Sequence, residues 1–107
     1  MNKEDLVSVI MPTYNAGKYL ADSMNSILNQ TYKNLELLIT DDASTDPTTL
    51  QLLKEFASKD ERVNILYLKE NHGAGYARNK SIERAKGRYI AFCDSDDRWT
   101  TDKLEKQ

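Results

Sequence analysis

Leu6-Val7-Ser8-Val9-Ile10-Met11-Pro12-Thr13-Tyr14-Asn15-Ala16-Gly17 begins as a short run of branched apolar residues, meets a proline and breaks into a polar loop that ends on glycine. A run of that length and composition reads as a strand followed by a turn. Just beyond it, Leu20, Met24, Ile27 and Leu28 recur at helical spacing, which predicts a helix from Ala16 to Gln30 with one apolar face. The strand pattern then returns at Leu35 to Thr40, Val63 to Leu68 and Tyr89 to Cys93. A second helix is expected from Pro47, with Leu50, Leu53 and Phe56 as its stripe and Ser58 to Glu61 closing it. A third, from Tyr76 to Ala85, has the thinner stripe Ala77, Ile82 and Ala85 and a terminating Gly87.

Strands separated by helix-length connections pair in parallel, because a crossover has to bring the chain back to the starting end of the sheet, and such crossovers are right-handed. The fold class is therefore α/β, a doubly wound and mostly parallel sheet. With strand order 3-2-1-4, a crevice opens at the carboxyl ends of strands one and four, where such sheets bind ligands. The polar run from Thr100 to Gln107 reads as the start of a fourth helix that the chain leaves unfinished.

Totals narrow the function. A chain of 107 residues is sized for one core, and 39% hydrophobic with 30% charged residues is ordinary for a globular protein. Seventeen acidic against 15 basic residues leave a formal charge of -2, so there is no broad basic face and no nucleic-acid partner is expected. The single cysteine, Cys93, follows Ala91 and Phe92 and reads as a packed strand residue in a reducing, cytoplasmic setting. The only histidine, His72, falls in a loop and offers Cys93 no neighbouring base in the sequence. The N-terminal residues have no apolar stretch behind a basic leader, so neither a signal peptide nor a membrane span is expected.

Four stretches carry chemistry. Asp94-Ser95-Asp96-Asp97 follows the fourth strand directly, and three carboxylates in four positions repel one another unless a hard cation such as Mn2+ or Mg2+ sits among them. The plainer reading is a turn and helix cap, which is the usual fate of an isolated Asp-x-Asp. Asp41-Asp42-Ala43-Ser44-Thr45-Asp46 ends the second strand, where an acid can accept a hydrogen bond from a base or ribose or simply cap the next helix. Pro12-Thr13-Tyr14-Asn15 offers an aromatic face and polar contacts, but lacks the glycine fingerprint of a dinucleotide site, which disfavours NAD and FAD. Asn71-His72-Gly73-Ala74-Gly75-Tyr76-Ala77-Arg78-Asn79 brings two glycines that allow close backbone approach, and a guanidinium suited to a diphosphate.

Taken in order and spacing, Val9 to Asn15, Thr40 to Asp46, Gly73 to Asn79 and Gly87 to Asp97 resemble the inverting family 2 glycosyltransferases over nearly the whole chain. The resemblance implies the GT-A nucleotide-diphospho-sugar transferase fold, with the chain as the donor-binding part of a single domain. By position it implies that Pro12, Thr13, Tyr14, Asn15, Asp42, Gly75, Arg78, Asp94 and Ser95 contact the nucleotide. Asp42 matches the acid that bonds the base ring, Asp94 lies nearer the ribose, and Asp94 and Asp96 hold Mn2+ or Mg2+. The partners it implies are a nucleotide-diphospho-sugar, UDP-sugar being the first expectation, and a glycan acceptor in the full-length protein.

An inverting transfer also needs a general base. The family places it well downstream of its D-x-D, so no catalytic base is expected before Gln107, and the fragment is expected to bind donor without turnover. Apolar surface at the sheet's far edge is expected to make it self-associate. The parent enzyme is expected to be cytoplasmic, working at the cytoplasmic face of the membrane. Two other classes are weaker. A sugar-phosphate nucleotidyltransferase would show a basic glycine-rich loop after strand one, and a phospho-acceptor receiver domain would place its acid pair there.

Overall fold

The computed structural model describes residues 4–106. Its elements run β1 (Val7–Thr13), α1 (Tyr19–Leu28), β2 (Leu35–Asp41), α2 (Pro47–Lys59), β3 (Val63–Tyr67), α3 (Ala74–Arg84) and β4 (Tyr89–Phe92). The four strands form one sheet in the order β3-β2-β1-β4, every pairing parallel. This is the expected doubly wound topology. Register aligns the strand ends: Thr13 pairs with Asp41, and Ile10 with Phe92. Two central strands buried on both faces explain why β1 and β2 read as nearly unbroken apolar runs.

The two faces of the sheet pack differently. Val7, Val9, Met11, Leu35, Leu37 and Ile39 share the main core with Leu20, Met24 and Ile27 of α1 and Leu53 of α2. Alternate residues face α3, which lies close because its buried positions are small: Ala77 and Ser81. Ser81 shares a hydroxyl–hydroxyl bond with Thr40 at 2.7 Å, within reach also of the Leu38 carbonyl at 3.2 Å. The expected α3 stripe is thus corrected: Ile82 is exposed, and Ser81 replaces it against a sheet face that presents a hydroxyl. Among the described residues no helix is long and apolar enough to cross a membrane.

Helix limits also move. The first helix starts at Tyr19 and not Ala16, because Asn15 and Gly17 adopt positive φ (48° and 61°), and that loop is tied to α2 by the Gly17 amide donating to Thr49 Oγ1. Asp46 caps α2 as the turn reading allowed, accepting from the Thr49 amide, and the Thr49 hydroxyl holds its carboxyl below the usual range. Helix α3 begins two residues early, after Gly73 at φ 93°, so Gly75 sits in its first turn. Residues 101–106 form turns where a fourth helix was expected, and Leu104 plugs into the core. Gln107 lies outside the described residues.

Gly87 is no helix terminator. Helix α3 ends at an extended Ala85, and Gly87 instead lies where β4 leans on β1. Its amide donates to Ser8 Oγ at 2.8 Å, while Ser8 Oγ donates to Glu36 Oε2 at 2.6 Å. A Cβ at Gly87 would meet Ser8 Oγ at 2.6 Å, the Ser8 nitrogen at 2.7 Å and the Leu6 oxygen at 2.8 Å. Two of those three atoms are backbone and cannot swing away. Gly87→Ala is therefore expected to lower unfolding free energy by about 1–3 kcal/mol. Urea or thermal unfolding checks this, and an unchanged midpoint would mean that the contact yields freely.

Candidate functional site

The carboxyl ends of β1, β2 and β4 and the start of α3 surround a cavity of about 470 Å³. Pro12 and Thr13 line it from β1 and Tyr14 from the loop after it, Asp42 from just beyond β2, Ala77 and Arg78 from α3, and Asp94, Ser95 and Asp96 from the loop after β4. These come from segments far apart in sequence. Of the residues expected to touch a nucleotide, Asn15 and Gly75 stand outside this lining. Asn15 Oδ1 accepts the amides of Thr45 and Asp46 at 2.9 and 3.0 Å, which joins the β1 loop to the β2 loop. A Cβ at Gly75 would meet nothing within 4 Å.

The acids divide into two kinds. Asp41 is buried and accepts the Ser44 amide at 3.1 Å and the Ser44 hydroxyl at 2.5 Å, and Ser44 Oγ in turn accepts the Asn15 amide. Asp42 is 3% exposed, and each of its carboxylate oxygens takes a backbone amide at 2.8 Å, one from His72 and one from Gly73. It therefore both faces the cavity and fastens the loop before α3. By contrast Asp94, Asp96 and Asp97 are exposed, and each offers an oxygen within 4.8 Å of the others. Among the described residues they form one ion pair, Arg78 Nη2 lying 3.4 Å from Asp94 Oδ1 in a solvent-exposed pair.

Three clustered, exposed, all-oxygen donors fit a hard divalent ion, which takes carboxylate oxygens and leaves positions for water or phosphate. Asp94 and Asp96 were expected there. Asp97 joins them because the Asp97 amide bonds back to the Asp94 carbonyl at 3.0 Å and folds the loop into a turn. Beneath the acids Cys93 is buried, and burial first, then Asp97 and Asp94, push its thiol up to about 12. A thiol so high is protonated at neutral pH and no nucleophile, in line with a packing role.

Two further features complete the wall. Thr13 Oγ1 is buried and has no hydrogen-bond partner among the described residues, although Thr13 lines the cavity. An orphaned hydroxyl is costly unless something else bonds it. Tyr14 is half exposed at 51%; outside the lining, His72 packs on Tyr76 with ring centroids 4.3 Å apart. Sequence reading missed Ala16, Tyr19, Ala74 and Ala77 in the lining, the last having been read only as a stripe residue of α3. Tyr19 had no signal of its own, since only the displaced helix start brings the first residue of α1 to the rim.

The sequence profile described as Glycosyl transferase family 2 matches residues 8–107. The chain belongs to glycosyltransferase family 2. It is 53% identical over 106 residues to TuaG of Bacillus subtilis (strain 168), a glycosyltransferase named provisionally for teichuronic acid biosynthesis, covering 99% of this chain and 42% of that protein. It is 49% identical over 102 residues to WfgD of Escherichia coli, a UDP-Glc:alpha-D-GlcNAc-diphosphoundecaprenol beta-1,3-glucosyltransferase, covering 95% of this chain and 39% of WfgD. The chain thus spans about two fifths of each of these two relatives.

Among solved structures, S. aureus TarS 1-349 in complex with UDP-GlcNAc superposes with a TM-score of 0.86 at 35% identity, over 94% of this chain and 29% of that one. The mannosyltransferase PcManGT of Pyrobaculum calidifontis, solved with GDP-Man and Mn2+, gives 0.83 at 29% identity, over 92% of this chain and 30% of its own. The fold is the GT-A transferase fold that the sequence motifs implied.

Fastening of the 72–73 loop changes what a substitution at Asp42 does. Family position alone suggests a loss confined to nucleotide binding, but an amide at this buried position would turn one acceptor into a donor facing a backbone amide. Asp42→Asn is expected to cost about 1–3 kcal/mol of stability as well as nucleotide affinity. Hydrogen exchange should show faster loss of protection at the His72 and Gly73 amides. Unchanged exchange there would remove Asp42 from the loop's support.

Proposed function

We propose that this chain is the donor-binding part of a metal-assisted glycosyltransferase, which takes a UDP-sugar and delivers the sugar to a glycan acceptor hydroxyl. The observation that carries this reading is the convergence in one cavity of an orphaned hydroxyl, an exposed aromatic ring, a buried acid and two carboxylates of the acidic cluster, Asp94 and Asp96. Each meets a different part of a nucleoside diphosphate. Tyr14 offers its face to the base and Thr13 its unused hydroxyl. Asp42 keeps lone pairs beyond the two amides it already accepts, and these can take a base N–H.

Asp94 is assigned to the ribose and the metal, Asp96 to the metal, with Asp97 beside them. When bound, the divalent cation neutralises negative charge that grows on the departing diphosphate. Arg78, at the rim beside Asp94, supplies a second positive charge to the same group. These residues do their work on the leaving-group side of the sugar.

Every cavity-lining carboxylate is engaged on that side. None is left to take a proton from an acceptor, so the chain alone is proposed to hold donor without acceptor-dependent turnover. UDP is preferred as the donor nucleotide because WfgD is named for UDP-Glc and TarS is solved with UDP-GlcNAc. The name of WfgD also makes a glycan on a lipid diphosphate the acceptor class to try first. The edge of β4, where Tyr89, Ile90 and Phe92 stand exposed, supports self-association of the chain on its own.

Calorimetry with UDP in Mn2+ and in EDTA tests the reading. Carboxylates and a diphosphate repel without a bridging cation, so affinity should be at least about tenfold higher with metal, and Asp96→Asn should erase most of that gain. Equal affinity in the two conditions would remove the metal bridge from the proposal.

A further inference from the structure

Helix α1 grips the segment after β4 through a row of polar side chains on one edge. Ser23, Ser26 and Gln30 lie at i, i+3 and i+7, one side of a helix. The Ser23 hydroxyl donates to the Ser95 carbonyl at 2.7 Å. Ser26 Oγ accepts the Trp99 amide at 3.1 Å, and Gln30 donates to the Thr100 carbonyl at 2.6 Å while accepting the Leu104 amide at 3.1 Å. Ser23 and Gln30 are wholly buried, although both are polar. Neither side chain lines the cavity.

Of these bonds only that of Ser23 falls between the acids. Ser95 is flanked by Asp94 and Asp96, and its carbonyl belongs to the peptide plane that leads into Asp96. A peptide is planar, so fixing that oxygen fixes the direction in which Asp96 leaves the loop. The loop's other restraints are the Cys93 amide on the Ile10 carbonyl at 3.0 Å, the Asp97 amide on the Asp94 carbonyl at 3.0 Å, the exposed Arg78–Asp94 pair, and Trp99 held by Ser26, none of which bonds the peptide between Ser95 and Asp96. Between Cys93 and Trp99 three like charges push apart. A hydroxyl has a single proton, and of the two carbonyls within reach of Ser23 the one across the fold, Ser95 at 2.7 Å, is nearer than that of its own helix, Tyr19 at 3.2 Å.

We propose that Ser23 is a positioning residue for the acidic loop, holding the Ser95 carbonyl so that Asp94 and Asp96 present their carboxylates to one cation before any cation arrives. The assignment rests on the metal-bridged donor site proposed above. Preorganisation of this kind raises metal-dependent affinity without adding a contact to the ligand. It has no bearing on the Tyr14 and Thr13 side of the cavity.

UDP affinity of Ser23→Ala, measured by calorimetry in Mn2+ and again in EDTA, separates positioning from general support. The expected result is a loss of roughly five- to tenfold in Mn2+ and a value in EDTA within about twofold of the parent chain. Equal losses in both conditions, or no loss in Mn2+, would overturn the assignment. Ser23→Cys, similar in size but a weak donor, carries the same two outcomes if the alanine variant does not fold. A parent chain whose UDP affinity ignores Mn2+ would instead overturn the donor-site reading itself, and Ser23 with it.

Discussion

The site hangs on β1 being hydrogen-bonded on both of its edges. Its backbone pairs with β2 along its whole length and with β4 along Val7 to Ile10, so the ends of three strands are brought to one side of the sheet. Parallel pairing forces this, since each crossover returns the chain to the same starting end. The β4 pairing is the short one, and it depends on the absence of a side chain at Gly87, where the incoming chain touches Ser8. Loss of that contact would shift the acidic loop relative to Tyr14 and Thr13, with no residue of the cavity altered.

Acidic residues cluster at the ends of β2 and β4, yet they do two jobs. Asp41, Asp42 and Asp46 each spend their carboxylates on amides or hydroxyls: Asp41 on Ser44 within its own loop, Asp46 on Thr49 in the first turn of α2, and Asp42 on the His72 and Gly73 amides of the loop before α3. Asp94, Asp96 and Asp97 are exposed, and among the described residues their ion pair is the one Asp94 makes with Arg78. Burial and occupancy separate the two sets where residue type does not. Asp42 belongs to both, because its two bonded oxygens still border the cavity.

How much of this was legible in the sequence follows from the length scale of each signal. Strand order, parallel pairing and the α1 and α2 stripes were readable because periodicity over ten or so residues reports burial directly. The acid motifs were readable as a set because their order along the chain matches a family, and the structure brings them to one cavity. What escaped depends on contacts between distant segments. Gly87 looks like a helix stop until Ser8 is seen beneath it, and Ser81 looks like a surface residue until Thr40 is opposite. Gly75 looked like a loop glycine, but an earlier helix start at Ala74 moves it into a turn away from the cavity. Ser23, Ser26 and Gln30 look like the outward face of an amphipathic helix, and only the return of residues 95–104 reveals them as anchors.

The placement of Cys93 has a practical side. Its sulfur lies beneath the acidic turn, 3.5 Å from the Asp94 carbonyl and 4.0 Å from that of Asp97. A thiol reagent reaches it only through a fluctuation that lifts this turn from the sheet, and the chain carries no second cysteine to confuse the signal. The rate of alkylation is therefore a clock for opening of the acidic turn. It reads the mobility of one loop in a molecule that otherwise needs no label.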